Sequence, residues 1–377
     1  MSAVIKMIKI YVLRLLILIL HIFPVKKNRV IINSYRGGQY SCNPKYISEY
    51  LEQSGCMDII WAFNKPEEFC FLKERGIKTV KYNSLKRFYY EATARVSINN
   101  VGSYSWIPLR RNQEHINTWH AGGCYKKTGL DEAENRTLMK KTIQMTADET
   151  TLFLSSSKYF SDVSIPQNLG FHGKTLNCGL PRNDDLVKGC RQDIIEKVRQ
   201  YYSIPDESFI LLCAPTWRYH NEKIPMMDFD RVKYAIKIRF GKECVVLYRA
   251  HHITGGNVGG NLISATDYPD MQELLMAADM LITDYSSCIW DYSFTYKPCF
   301  LYTPDIDYYI KNRGFNMDIH EWHFPICETN DKLVKSIEQY DEQQHKRNME
   351  QHHTDLGACE TGKACEIIGN MILEWCK

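Results

Sequence analysis

Met280-Leu281-Ile282-Thr283-Asp284-Tyr285-Ser286-Ser287 is the stretch that decides the fold. A short apolar run ends in a turn, and two hydroxyl residues then open a helical pattern over residues 287–296. That is one step of strand–turn–helix. His115-Ile116-Asn117-Thr118-Trp119 ends in the same manner, with His120-Ala121-Gly122-Gly123 in place of the serines.

Working outward, the same alternation recurs along the chain. Residues 30–34, 59–63, 78–82, 96–99, 116–119, 152–155 and 175–178 read as strands, with helical patterns at 44–53, 66–75 and 134–147. The pattern restarts with strands at 209–214, 244–248, 262–265, 281–283 and 299–302. Helices at 229–240, 271–277, 287–296 and 331–344 lie between or after them. Such alternation predicts parallel sheets covered on both faces. Two series, parted near residues 179–206, predict two Rossmann-like halves with a cleft between them. The expected division is a membrane-associating segment at 1–27 and two Rossmann-like domains, at 28–190 and 191–377.

A chain of 377 residues, 44% hydrophobic, is long enough to bury two cores. Its formal net charge of +3 is unevenly placed. Lys6, Lys9, Arg14, Lys26, Lys27 and Arg29 fall in the first 29 residues with no acid among them, leaving a slightly acidic remainder. That remainder does not read as a nucleic-acid binder. The 14 cysteines are scattered through candidate strands and helices, without CxxC pairs or zinc-finger spacing. They read as reduced, structural thiols of a cytosolic protein, with no metal site.

Residues 3–23 are apolar but interrupted by Lys6, Lys9, Arg14 and His21. At about 100° per residue these four fall within an arc of roughly 140°, leaving a wide apolar face. The uninterrupted part, residues 15–20, is too short to span a bilayer. The expectation is a helix lying in the membrane interface, with Lys26, Lys27 and Arg29 against anionic headgroups. The expected address is the cytoplasmic face of a membrane. A short anchor and an ordinary amphipathic helix are the alternatives.

Ligands of parallel sheets sit beyond the carboxyl ends of strands, and several chemically able residues fall there. His120 can take a proton from an attacking hydroxyl, and the small Ala121 and Gly122 let substrate approach the backbone. Arg249 can grip phosphate oxygens, and His251, on the same side of an extended segment, can neutralise charge on a leaving phosphate. His252 is the alternative. Ser286 and Ser287 open a helix whose first N–H groups favour an anion, although serine is also an ordinary N-cap. Asp291, one turn further on, can reach a sugar or glycerol hydroxyl or be a solvated helix carboxylate. Arg182 in the interdomain stretch can enter the cleft, and Thr216, Trp217 and Arg218 can offer hydroxyl, ring and guanidinium. A P-loop, a GxSxG elbow and a GxGxxG fingerprint are missing, against ATPase, hydrolase and dehydrogenase readings.

Taken in order, Asn43-Pro44-Lys45, Trp119-His120 with Lys126-Lys127, Gly179-Leu180-Pro181-Arg182-Asn183-Asp184, Ala214-Pro215-Thr216-Trp217-Arg218, Arg249-Ala250-His251 and Thr283-Asp284-Tyr285-Ser286-Ser287 with Asp291 resemble the CDP-glycerol glycerophosphotransferase family of teichoic-acid synthesis. The resemblance implies a GT-B fold and a monotopic membrane enzyme without a cofactor. Such an enzyme moves a polyol phosphate from a CDP-activated donor to a lipid-linked saccharide and releases CMP. It implies His120 as base, with His251, Arg249, Arg182, Thr216, Trp217, Ser286, Ser287 and Asp291 lining the donor site. The family's usual His-Gly-Thr-Pro reads His-Ala-Gly-Gly here. The long N-terminal extension of processive polymerases is missing, which favours a primase-like or capsule-repeat enzyme adding one unit. A nucleotide-sugar transferase and a catalytically silent membrane scaffold are the competing readings. Glycerol and ribitol donors are not distinguished by these residues.

Overall fold

The β-branched runs become strands because every residue in them can bury its side chain on one sheet face or the other. Val30 and Ile32 pack with Ile47, Leu51, Trp61, Phe63, Leu154, Ile368 and Ile372 on one face. Ile31, between them, packs with Ile60, Ala62 and Val80 on the other. A two-sided apolar strand of this kind belongs inside a parallel sheet. The computed structural model describes residues 3–102, 107–123, 125–132, 137–216, 227–249 and 262–377.

The described chain divides into two compact units. In the first, β1 (Lys26–Ile32), β2 (Asp58–Phe63), β3 (Lys78–Lys81), β4 (Ala94–Asn99), β5 (Glu114–Asn117), β6 (Leu152–Ser155) and β7 (Lys174–Asn177) form one sheet. Its order is β3-β2-β1-β4-β5-β6-β7, and every pairing is parallel. In the second, β8 (Phe209–Cys213), β9 (Cys244–Tyr248), β10 (Ile263–Ser264), β11 (Met280–Thr283), β12 (Cys299–Tyr302) and β13 (Ile326–Cys327) run in the order β10-β9-β8-β11-β12-β13. These pairings are parallel too. Both are doubly wound sheets. Their direction of winding reverses between β1 and β4, and between β8 and β11, which is where such sheets take their ligands.

The first unit comprises residues 1–122, 128–184 and 358–377, and the second residues 123–127 and 185–357. The final helix, Ala364–Trp375, was expected in the second half. It joins the first unit instead, because Ala364, Ile368 and Ile372 complete the core beside the helix Cys42–Glu52. The segment expected at 1–27 ends inside β1, since Lys26 already pairs with Ala94. Backbone pairing overrides the local charge. The expected helices at 66–75 and 331–344 are each broken, into Pro66–Phe69 and Phe71–Glu74, and into Asn330–Glu338 and Glu342–Leu356.

The N-terminal helix, Ala3–Leu20, docks on the first unit by the side that carries Arg14, Ile17 and Leu20. Arg14 pairs with Glu149, and Ile17 is buried against Ala92 and Ile107. Ile5, Ile8, Val12, Leu15, Leu16 and Ile19 are left exposed. Arg29 is not available to headgroups. It is buried, 2.8 Å from Asp58 and 2.7 Å from Thr93 Oγ1. Among the described residues no helix is long and apolar enough to cross a membrane, and no group of His, Cys, Asp or Glu could hold a metal ion. The described cysteines are all free thiols.

Candidate active site

In the first unit the ends of β1 and β4 are tied together by Asn100. Its Oδ1 accepts from the Tyr35 N–H at 2.8 Å, and its Nδ2 donates to Ser34 Oγ at 3.1 Å. The carbonyl of the same residue accepts from His120 Nδ1 at 2.7 Å. A carbonyl can only accept, so Nδ1 carries the proton and the neutral ring has its basic lone pair on Nε2. The winding reversal of the first sheet thereby sets the tautomer of His120.

The loop that carries His120 is held by buried side chains. Asn43 Nδ2 donates to the carbonyls of Thr118 and Trp119, both at 3.1 Å. Arg182 Nη1 donates to the His120 carbonyl at 2.7 Å, and its backbone N–H donates to Asn43 Oδ1 at 3.2 Å. Trp119 sits at φ +50°, with its N–H on Asn117 Oδ1 at 3.0 Å. Tyr35, Arg36 and Cys42 also have positive φ, so four of the seven such non-glycine residues described lie in this loop cluster. Left-handed backbone at bulky residues is costly and collects at functional sites. Trp119 and Tyr35 place their rings 4.5 and 5.7 Å from the imidazole.

Two small residues have plainer reasons than substrate approach. Gly122 is buried, with its carbonyl bonded to Ser156 Oγ at 2.7 Å. A Cβ on Gly123 would lie 2.3 Å from the Tyr125 ring, so packing in the second unit accounts for that glycine. Ala121 is half-buried.

In the second unit Asp284 ties the winding reversal together. Its buried carboxylate accepts from the Thr216 N–H at 2.9 and 3.0 Å and from Thr216 Oγ1 at 2.6 Å. Thr283 Oγ1 reinforces this by donating to the Ala214 carbonyl at 2.7 Å. Beyond Asp284, Ser286 and Ser287 are half-exposed before the helix Cys288–Ser293. Ser287 makes no side-chain cap bond, and the bond that Ser286 Oγ accepts from the Cys288 N–H is a long 3.4 Å. These hydroxyls are poor caps. Asp291 is neither solvated nor at the surface: it is buried, with Gln272 Nε2 donating to Oδ2 at 3.0 Å. Arg249 Nη1 donates to the carbonyls of Ala265 and Tyr268 at 3.0 and 2.9 Å. Part of the Arg249 fork is thus spent on bracing β10. Burial pushes the Cys288 thiol up to about 11 and raises Cys213 as well, so neither is a thiolate nucleophile at neutral pH.

His120, Arg182, Ala121 and Gly122 therefore gather in the first unit, and Thr216, Arg249, Ser286, Ser287 and Asp291 lie in the second. Trp217, Arg218, Ala250, His251 and His252 lie outside the described residues. Asn100 and Gln272 were not singled out from the sequence, and Asp284 was quoted only within the motif that carries Ser286 and Ser287. Asp284 alone carried a signal, an acid at the carboxyl end of an apolar strand. Asn43 was quoted only as part of a motif, since nothing local tells that it reaches β5.

The family described as CDP-glycerol:poly(glycerophosphate) glycerophosphotransferase matches residues 15–374. A teichoic acid poly(glycerol phosphate) polymerase of Bacillus subtilis is 28% identical over 370 residues, covering 93% of this chain and 49% of its own. The chain thus spans about half the length of that relative. A teichoic acid glycerol-phosphate transferase of Staphylococcus aureus is 30% identical, covering 84% of this chain and 85% of its own. A solved structure of the wall teichoic acid polymerase TagF, a histidine-to-asparagine variant soaked with CDPG, superposes with a TM-score of 0.80 at 25% identity. That match covers 93% of this chain and 90% of the other.

Proposed function

Because this chain belongs to the CDP-glycerol:poly(glycerophosphate) glycerophosphotransferase family, we propose that it moves glycerol phosphate from CDP-glycerol to a hydroxyl of a lipid-linked saccharide and releases CMP. The observation that carries the reading is the His120 tautomer, with its basic nitrogen set by the Asn100 carbonyl at the winding reversal of the first sheet. The acceptor oxygen forms a bond to the phosphorus that bears glycerol, and the hydroxyl proton passes to His120 Nε2. The bond from that phosphorus to the bridging oxygen breaks, and CMP leaves with the electron pair. Positioning and charge neutralisation supply most of the rate in such transfers. The second unit provides the donor anchors in this reading: Ser286 and Ser287, whose hydroxyls are poor caps, Thr216 fixed by Asp284, and Arg249. His251 and Trp217 are assigned beside them on the motif alone. Arg182 acts through the His120 loop, and Asp291 through Gln272 behind the serines.

The reading makes the protein a GT-B enzyme at the cytoplasmic face of a membrane. The outward apolar side of the helix Ala3–Leu20 supports attachment, because an exposed apolar patch of that size is unusual unless something covers it. A single addition rather than polymerisation is the form proposed, in a teichoic-acid or capsule-like polymer. Incubation with CDP-glycerol or CDP-ribitol and a panel of lipid-linked saccharides, followed by mass spectrometry, tests it. A product that gains a polyol phosphate with release of CMP supports the reading. A product that gains a sugar and no phosphorus makes the protein a sugar transferase, and no turnover leaves a scaffold.

A further inference from the structure

A cavity of about 380 Å³ lies within the first unit, behind Trp119. Ile10, Ile143, Phe153, Leu169, Phe171 and the Trp119 ring make up its apolar walls. Four threonines also line it, and the hydroxyls of three of them are spent. Thr142 Oγ1 donates to the Met139 carbonyl at 2.9 Å, Thr146 Oγ1 to the carbonyls of Thr142 and Gly102 at 2.9 and 3.0 Å, and Thr150 Oγ1 to that of Thr146 at 2.8 Å. Donors already used on backbone carbonyls are not offered to a ligand, so this wall behaves as apolar. Arg36 and Glu132 are the charged residues of the lining, and Tyr82, Asn117 and Thr128 are its other polar side chains, against a majority of apolar ones. A space of this size and polarity suits an apolar group better than a sugar, which would leave its hydroxyls without partners.

Two placements say which apolar group. Ile10 belongs to the helix Ala3–Leu20, whose other side is the exposed apolar face. Also in the lining, the Trp119 ring lies 6.5 Å from Phe153 and 4.5 Å from the imidazole of His120. The lining therefore includes both a residue of the helix that would meet the bilayer and a ring in contact with the base.

We propose that this cavity takes the hydrocarbon chain of the lipid-linked acceptor, seating it beside Trp119 so that the attached hydroxyl-bearing group is delivered to His120. The assignment rests on the function proposed above. Arg36, exposed at φ +56°, supplies the cation next to the chain for the linking phosphate.

The test uses the full chain and two variants of half-buried Ile143: Ile143→Trp to fill the cavity and Ile143→Asn to make it polar. Binding of dodecyl phosphate is measured by calorimetry. Transfer is measured with a glycerol-phosphate primer carrying a dodecyl chain and with the same primer lacking it. Wild type is expected to bind dodecyl phosphate, and both variants to weaken that binding at least tenfold. The KM for the chain-bearing primer is expected to rise at least tenfold, with the KM for the chainless primer and for CDP-glycerol unchanged. Equal KM changes for both primers, or none for either, overturn the proposal. Loss of dodecyl phosphate binding with an unchanged KM for the chain-bearing primer means that the cavity holds a bulk membrane lipid, which also overturns it. If wild type releases no CMP, the functional reading fails by itself. The binding arm then decides whether the cavity takes a hydrocarbon: absent binding, or binding unaffected by Ile143→Trp, overturns that as well.

Discussion

His120 does not stand alone in its loop: its tautomer is set by Asn100 and its backbone is held by Asn43 and Arg182. Asn43 is fully buried and serves two carbonyls and one N–H. Asn43→Ala is expected to cost about 1–3 kcal/mol of stability, the usual penalty for leaving buried groups unpaired. Turnover should fall more steeply than donor affinity, because the loop that carries the base loses its anchor. Urea unfolding together with kcat and donor binding checks this. A variant that loses stability but keeps wild-type kcat would make Asn43 a purely structural residue. His120, Ser286 and Thr216 could be picked out from the sequence because each sits just past an apolar run. Asn43, Asn100 and Gln272 could not, since their partners lie far along the chain and hydrogen bonding leaves no periodic trace.

Elements were legible to the extent that local pattern determined them. The strands Leu152–Ser155, Cys244–Tyr248 and Cys299–Tyr302 and the helices Phe229–Phe240 and Met271–Ala277 were read to the residue, because short apolar or amphipathic runs define them. The two-residue β13 was too short to show a pattern. The helix Ala364–Trp375 gave no hint of its unit, because its partner is the helix Cys42–Glu52 at the other end of the chain. That contact explains Gly369 in a helix interior, where glycine ordinarily costs about 1 kcal/mol relative to alanine. A Cβ there would stand 2.2 Å from Tyr50 Cδ1. Gly369→Ala is therefore expected to destabilise by about 1–3 kcal/mol, by overpacking. Propensity alone predicts the opposite sign. A higher urea midpoint for this variant would show that Tyr50 moves aside freely.

At the scale of the whole molecule, two properties follow from what is buried and what is not. His115 in the first unit and His352 and His353 in the second are held neutral by burial, with pKa values lowered to about 4, 3 and 4. An unfolded imidazole titrates near 6.5, so between that value and about 4 the unfolded chain binds more protons than the folded one. Stability should therefore fall as pH drops from about 6.5 towards 4, before most carboxylates protonate. Urea midpoints across that range check the sign, and a flat profile would contradict it. Removing residues 1–24 spares β1 and should release the protein from membranes while a chainless acceptor is still turned over. Persistent membrane binding of the truncated chain would place the attachment elsewhere.

The central claim is that His120 takes the proton in transfer of glycerol phosphate from CDP-glycerol. It is tested most directly by the pH dependence of CMP release for wild type and His120→Ala on the same acceptor. Wild type should lose rate on the acid side as the imidazole protonates. His120→Ala should be slower by about 10²–10⁴-fold, the usual contribution of a positioned base, and its residual rate should lack that acid limb. A His120→Ala protein that keeps both the rate and the acid limb would contradict the account and assign the base to another residue.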